Sequence, residues 1–209
     1  MYPDDSFFRH LGALSNGPIL QSTYKTYKNS QNNNSFILNG ALRSGFNVNA
    51  YNLQINNMND IFRAKNNLPM DLYRMTSSSE FTPNGAEVVL GIPFRYPAFL
   101  STTRNPMVLK SFVPAIGTPT ILKIKCPGGT GMALMEANNN LPNEEEILLQ
   151  SYTEYQIRKA NIITCPSVIS VYIGNHNVNK HSFIYEIEMD IVRNSFHLAS
   201  VSQTSFFFF

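Results

Sequence analysis

The constraint that does most to limit the fold is punctuation. From Asp71 onward, Gly, Pro and Asn cut the chain into short apolar runs. The runs are Val88-Val89-Leu90-Gly91-Ile92, Ala98 to Thr102, Thr120 to Cys126, Gly131 to Met135, Glu146 to Leu149, Tyr155-Gln156-Ile157, Val168 to Ile173 and Ser182 to Ile191. Their lengths suit strands better than helices, and Thr120 to Cys126 alternates after Ile121 before stopping at Pro127-Gly128-Gly129. About seven short strands are therefore expected, with Gly174-Asn175-His176-Asn177 as a turn.

Before this region the texture differs. Ser35 to Leu42 predicts a short helix ending near Gly45, and Ile55, Met58 and Phe62 fall at helical intervals within Asn52 to Phe62. Gln21 to Asn34 has few large apolar side chains and reads as a mobile linker. Helices early and strands late point to an α+β fold rather than an alternating βαβ one. The division expected is a helical, Asn-rich lead-in over 1–67 packing on a core over 68–193, with a tail over 194–209, all in one structural domain.

Composition removes several classes of function. Charged residues make up 14% and the formal net charge is +2, too mild for binding nucleic acid by phosphate neutralisation. Asn fills the gap, with 25 in 209 residues. No apolar run approaches the roughly 18 residues of a membrane span. The start, Met1-Tyr2-Pro3-Asp4-Asp5, lacks the pattern of a signal peptide, and the two cysteines, Cys126 and Cys165, cannot form a disulfide framework. A cytosolic site of action is expected, reached by the chain alone or as a fragment of something larger. Cys126 reads as a buried thiol. His10, His176, His181 and His197 sit at no metal-ligand spacing, so no metal is expected. Pro127-Gly128-Gly129-Thr130-Gly131 lacks the spacing of a phosphate loop and reads as a hairpin turn.

Three pieces remain. Leu72-Tyr73-Arg74 ends a short apolar segment. Phe99-Leu100-Ser101-Thr102-Thr103 precedes a helix-like stretch from Asn105-Pro106 to Phe112. Glu144-Glu145-Glu146 runs straight into Ile147-Leu148-Leu149. Singly these read as a surface arginine, a polar strand end and an acidic turn. Three glutamates beside Ile-Leu-Leu in a chain this poor in charge are unusual, however. In a continuous strand Glu144 and Glu146 would share one face, and paired carboxylates of this kind gather at active sites.

Jointly, the three pieces resemble the R-S-E class of mono-ADP-ribosyltransferases, the arginine-type, clostridial- and cholera-like toxins. That family carries Arg on an early strand, Ser-Thr-Ser on a second, and Glu-x-Glu leading into a strand. The matching positions are Tyr73-Arg74, Ser101-Thr102-Thr103 and Glu144-Glu145-Glu146, and the likeness spans about 48–192. Two departures stand out: Met75 where the family usually has Gly, and Thr103 in place of the third Ser.

The resemblance implies a two-sheet β-sandwich core, NAD as substrate, and transfer of ADP-ribose to a protein side chain. It implies catalytic roles for Glu146 (ribose hydroxyl), Glu144 (acceptor) and Ser101 (positioning Glu146). Arg74 would hold the diphosphate. Tyr73, Met75, Thr102, Thr103 and Asn105, with Arg104 nearby, would complete the NAD site. The loop 136–143 would meet the protein target. The expected partners are NAD and a host protein, with actin or a small GTPase in view and arginine preferred over threonine. A monomer is expected, delivered as a secreted or injected toxin domain or as the effector (hypervariable) region of a larger toxin complex. An NAD glycohydrolase and a catalytically dead interaction module are the alternatives.

Overall fold

The structure, a computed structural model, describes residues 6–62, 68–80, 90–135 and 145–193. Four helices come first: α1 (Ser6–Gly12), α2 (Gly17–Lys28), α3 (Asn34–Ser44) and α4 (Asn52–Ile61). α3 and α4 lie where the periodicity places them, and Gly45, at φ 69°, ends α3 in the left-handed conformation that glycine adopts without strain. Asn supplies the same conformation elsewhere, at Asn32, Asn33 and Asn47. Part of the Asn excess is thus structural.

α2 corrects the expectation of a linker over Gln21 to Asn34. Pro18 opens the helix, and Leu20, Tyr24 and Tyr27 bury one face at i, i+4 and i+7. Two of the three large side chains in this stripe are tyrosines, whose hydroxyls make the segment read as polar. Tyr24 is fully buried, and its hydroxyl donates to the Leu134 carbonyl at 2.9 Å.

Eight strands follow: β1 (Met70–Ser77), β2 (Pro93–Tyr96), β3 (Leu100–Thr103), β4 (Pro119–Cys126), β5 (Met132–Leu134), β6 (Glu146–Leu149), β7 (Thr153–Ile163) and β8 (Ile184–Arg193). They order as β2-β7-β8-β4-β1-β3-β6-β5. All neighbours are antiparallel except β4 and β8. The order has two halves, β2-β7-β8-β4-β1 and β3-β6-β5, joined through the single register pair Tyr73↔Thr103. A helical segment leading into a mixed, strand-rich core matches the α+β expectation.

Four local readings change. Val168 to Ile173 is not a strand but part of helix α5 (Pro166–Ile173). Pro166 starts it, and Ile169 and Ile173, one turn apart, are the buried pair, so tertiary contacts override the β-branched composition. The turn at Gly174 to Asn177 continues into one helical turn, α6 (Asn175–Val178). Leu90 and Gly91 form a turn, and Ile92 is irregular, ahead of β2 rather than a strand, while Val88 and Val89 lie outside the described residues. Pro127 to Gly131 is also not a hairpin, because β4 and β5 lie in different halves of the strand order. It is a crossover, closed locally by the Thr130 hydroxyl on the Pro127 carbonyl at 2.7 Å.

The strand period sorts the core into two clusters. Leu72, Leu122, Ile124, Leu100, Leu148 and Met189 pack with α1 to α4 on one face. Met75, Ile121 and Ile184 pack with Ile169, Ile173 and Leu109 on the other. Cys126 is buried as expected, and burial raises its thiol above the ordinary value. Cys165 is exposed.

Candidate active site

The candidate site is the gap between the two halves of the sheet. Where β1 and β3 diverge, a cavity of about 140 Å³ opens, lined by Tyr73, Arg74, Met75, Ser101, Thr102, Thr103, Leu109, Phe112 and Glu146. It therefore brings together most of the residues singled out from sequence. Its volume is below the several hundred cubic ångströms of a typical ligand pocket, so it suits a ring and part of a sugar rather than a whole dinucleotide.

Ser101 and Glu146 are neighbours because β3 and β6 pair with Thr103 opposite Glu146 and Ser101 opposite Leu148. The Ser101 hydroxyl donates to Glu146 Oε1 at 2.6 Å. Thr102, on the opposite pleat, donates to the Ile147 carbonyl at 2.6 Å and locks this pairing. The segment entering β3 is held by the helical lead-in. Phe99 stacks on Phe62 with centroids 5.6 Å apart, and the Tyr27 ring meets Phe99 edge-on at 5.7 Å. Asn39 accepts from the Phe99 amide at 3.1 Å and donates to the Tyr27 hydroxyl at 2.8 Å.

Arg74 bridges the gap. Its Nη1 donates to the Ser101 carbonyl at 3.0 Å, supplying a contact that the diverging β1 backbone does not. Its Nη2 lies 3.2 Å from both oxygens of Glu80. Arg74 Nε is buried and has no hydrogen-bond partner among the described residues. Glu80 also accepts from the Thr76 and Tyr96 hydroxyls. Burial pushes the Glu80 carboxyl upward, but Arg74, Thr76 and Tyr96 outweigh it and hold the group below its ordinary value. Burial and the adjacent Glu80 push Tyr96 up to about 12.

Lys28, the last residue of α2, pairs with Glu146 Oε2. Neither Lys28 nor Glu80 was evident from sequence. Lys28 lies in the stretch read as a linker, and Glu80 ends a 3-10 turn after β1 with no motif around it.

Other expected residues fall differently. Asn105 caps the 3-10 helix Pro106–Phe112 by accepting from the Met107 amide at 3.0 Å, and it does not line the cavity. Its own amide is held by Thr103 Oγ1 at 3.0 Å. Arg104 lies 3.6 Å from Glu145. Glu145 has φ 45°, so the strand begins at Glu146 and its alternation does not run back through Glu145. Glu144 and the loop 136–143 lie outside the described residues.

A family model for ADP-ribosyltransferase exoenzyme matches residues 22–185, from α2 into β8. The chain belongs to this family. Among solved structures, the enzymatic component of the Clostridium botulinum C2 toxin aligns with a TM-score of 0.66 at 16% identity, covering 90% of this chain and 46% of that one. The ADP-ribosyltransferase toxin Plx2a of Paenibacillus larvae aligns at 0.60 and 18% identity, covering 83% and 87%. Exoenzyme S of Pseudomonas aeruginosa, solved with human 14-3-3 protein beta and carba-NAD, aligns at 0.60 and 17% identity, covering 95% and 88%. These likenesses establish an ADP-ribosyltransferase fold. A curated protein of Acanthamoeba polyphaga mimivirus, itself uncharacterized, is 29% identical over 136 residues. The match covers 57% of this chain, which spans only 18% of that relative. NAD is the substrate of enzymes with this ADP-ribosyltransferase domain, and among the described residues no cluster of three or more His, Cys, Asp or Glu could hold a metal ion.

Proposed function

We propose that this chain cleaves NAD and transfers the ADP-ribose to a side chain of another organism's protein, acting as a toxin or effector domain in the host cytosol. The observation that carries the reading is the 2.6 Å contact between Ser101 and Glu146 in the wall of the cavity beside Arg74. Residues 68–193 would form the NAD-binding unit.

In the reaction, the bond between ribose C1′ and the nicotinamide nitrogen breaks and nicotinamide leaves with the electron pair. Positive charge grows on the ribose as in other glycosyl transfers. A fixed carboxylate stabilises that charge more in the transition state than in the ground state. Glu146 would take this role, with Ser101 holding one of its two oxygens. The acceptor nitrogen or oxygen then bonds to C1′ and loses its proton, the step assigned to Glu144. The buried, unsatisfied Arg74 Nε suits a phosphate oxygen of the diphosphate. Tyr73, Met75, Thr102 and Thr103 would wall the nicotinamide end.

Arginine is the acceptor favoured by the Glu-x-Glu pattern, with threonine second; actin and small GTPases are the acceptors to test first. Incubation with labelled NAD and eukaryotic lysate should label one host protein, and Glu146→Gln should remove the label. A label that persists in Glu146→Gln would overturn the residue assignment. Nicotinamide release without any labelled protein would leave water as the acceptor and make the chain an NAD glycohydrolase.

A further inference from the structure

The Glu146 carboxylate is gripped at both oxygens, by Ser101 at Oε1 and by Lys28 at Oε2. The two grips come from different parts of the molecule: Ser101 from β3, and Lys28 from the C-terminal end of α2. Both charged side chains are largely buried, 8% exposed for Lys28 and 15% for Glu146. An ion pair in such surroundings is costly to desolvate and keeps its geometry only when both partners are well held.

Glu146 needs this support for a local reason. It is the first residue of β6, and Glu145 before it is in the left-handed region. Its backbone is paired opposite Thr103, but its long side chain still turns about several bonds. The Ser101 hydroxyl alone leaves the carboxylate free to turn about that bond. A second donor on the other oxygen fixes the plane. A carboxylate has about four lone-pair positions, so two donors leave room for a ribose hydroxyl.

We propose that Lys28 is a positioning residue for Glu146, making the helical lead-in part of the catalytic site. The proposal rests on the reading of Glu146 given above. Lys28 in turn is anchored by the buried face of α2, in which Tyr27 packs edge-on against Phe99, next to β3. α2 thus holds both the strand that bears Ser101 and the far oxygen of Glu146.

The test uses the full chain and follows nicotinamide release from NAD, with kcat and KM separated and thermal unfolding measured in parallel. Lys28→Met should lower kcat about 10- to 100-fold, the loss typical of a misplaced reacting group, while KM stays within about twofold. Lys28→Arg, which keeps the charge and a donor, should recover most of the loss. Lys28→Gln serves as the second variant if Lys28→Met does not fold. In a Glu146→Gln background, Lys28→Met should cost little more, because the group it positions is already gone. An unchanged or raised kcat, a loss confined to KM, or an equal loss in the Glu146→Gln background would overturn the proposal. Wild-type turnover by Glu146→Gln alone would instead overturn the assignment of Glu146, and Lys28 with it.

Discussion

At the scale of residues, two carboxylates govern the site in opposite ways. Glu146 is held at the cavity wall by donors at each oxygen, whereas Glu80 is buried under Arg74, Thr76 and Tyr96. Ser101→Ala removes one grip on Glu146 and should lower kcat for NAD cleavage about 10-fold or more with little change in thermal stability, read by steady-state kinetics beside a melting curve. Glu80 carries a pH signature. Its folded carboxyl lies below the ordinary 4.5, so it stabilises the fold above that pH, and the contribution is lost as pH falls through the depressed folded value. Glu80→Gln should therefore melt well below wild type at pH 7, and the gap should narrow on acidification below about pH 4.5. A gap that stayed constant with pH would mean Glu80 acts by packing alone.

At the scale of elements, what was legible depended on which side chains carried the pattern. β1, which holds Arg74, was placed on a strand only by the family resemblance, whereas β3, β4 and β6, which include Ser101 and Glu146, could be read as short apolar runs bounded by Gly, Pro or charged residues. α2 could not, because tyrosines make its buried stripe, and Lys28 went unseen with it. α5 was masked by its valines and isoleucines, which favour strands until Ile169 and Ile173 find the second core cluster. Arg74's contact with Glu80 is tertiary and leaves no trace in local spacing. Tyr24→Ala tests the corrected view of α2. Emptying a fully buried ring should cost about 3–5 kcal/mol in urea unfolding, whereas a residue in a mobile linker would cost under about 0.5 kcal/mol.

At the scale of the whole molecule, the lead-in and the strands share one apolar core. Leu11, Tyr24, Met58 and Phe62 belong to the same cluster as Leu72, Leu122 and Leu148. Deleting residues 1–62 uncovers that face of the sheet. The remaining chain should fail to fold cooperatively, showing dye binding to exposed apolar surface and no sharp thermal transition. A sharp transition in the truncated chain would mean that the strands stand alone and the helices are an accessory.

The junction of the two sheet halves also has a mechanical meaning. β1 is zipped to β4 through eight register pairs but to β3 through one. Tension applied across the sheet would concentrate on that seam, where the Arg74 guanidinium acts as a rivet into the Ser101 carbonyl. The cavity lies along the same seam, so widening it for a ligand breaks few backbone hydrogen bonds. The molecule can thus yield at this cavity while the rest of the sheet stays closed, and in hydrogen exchange the β3 amides facing β1 should open before those that bond β1 to β4.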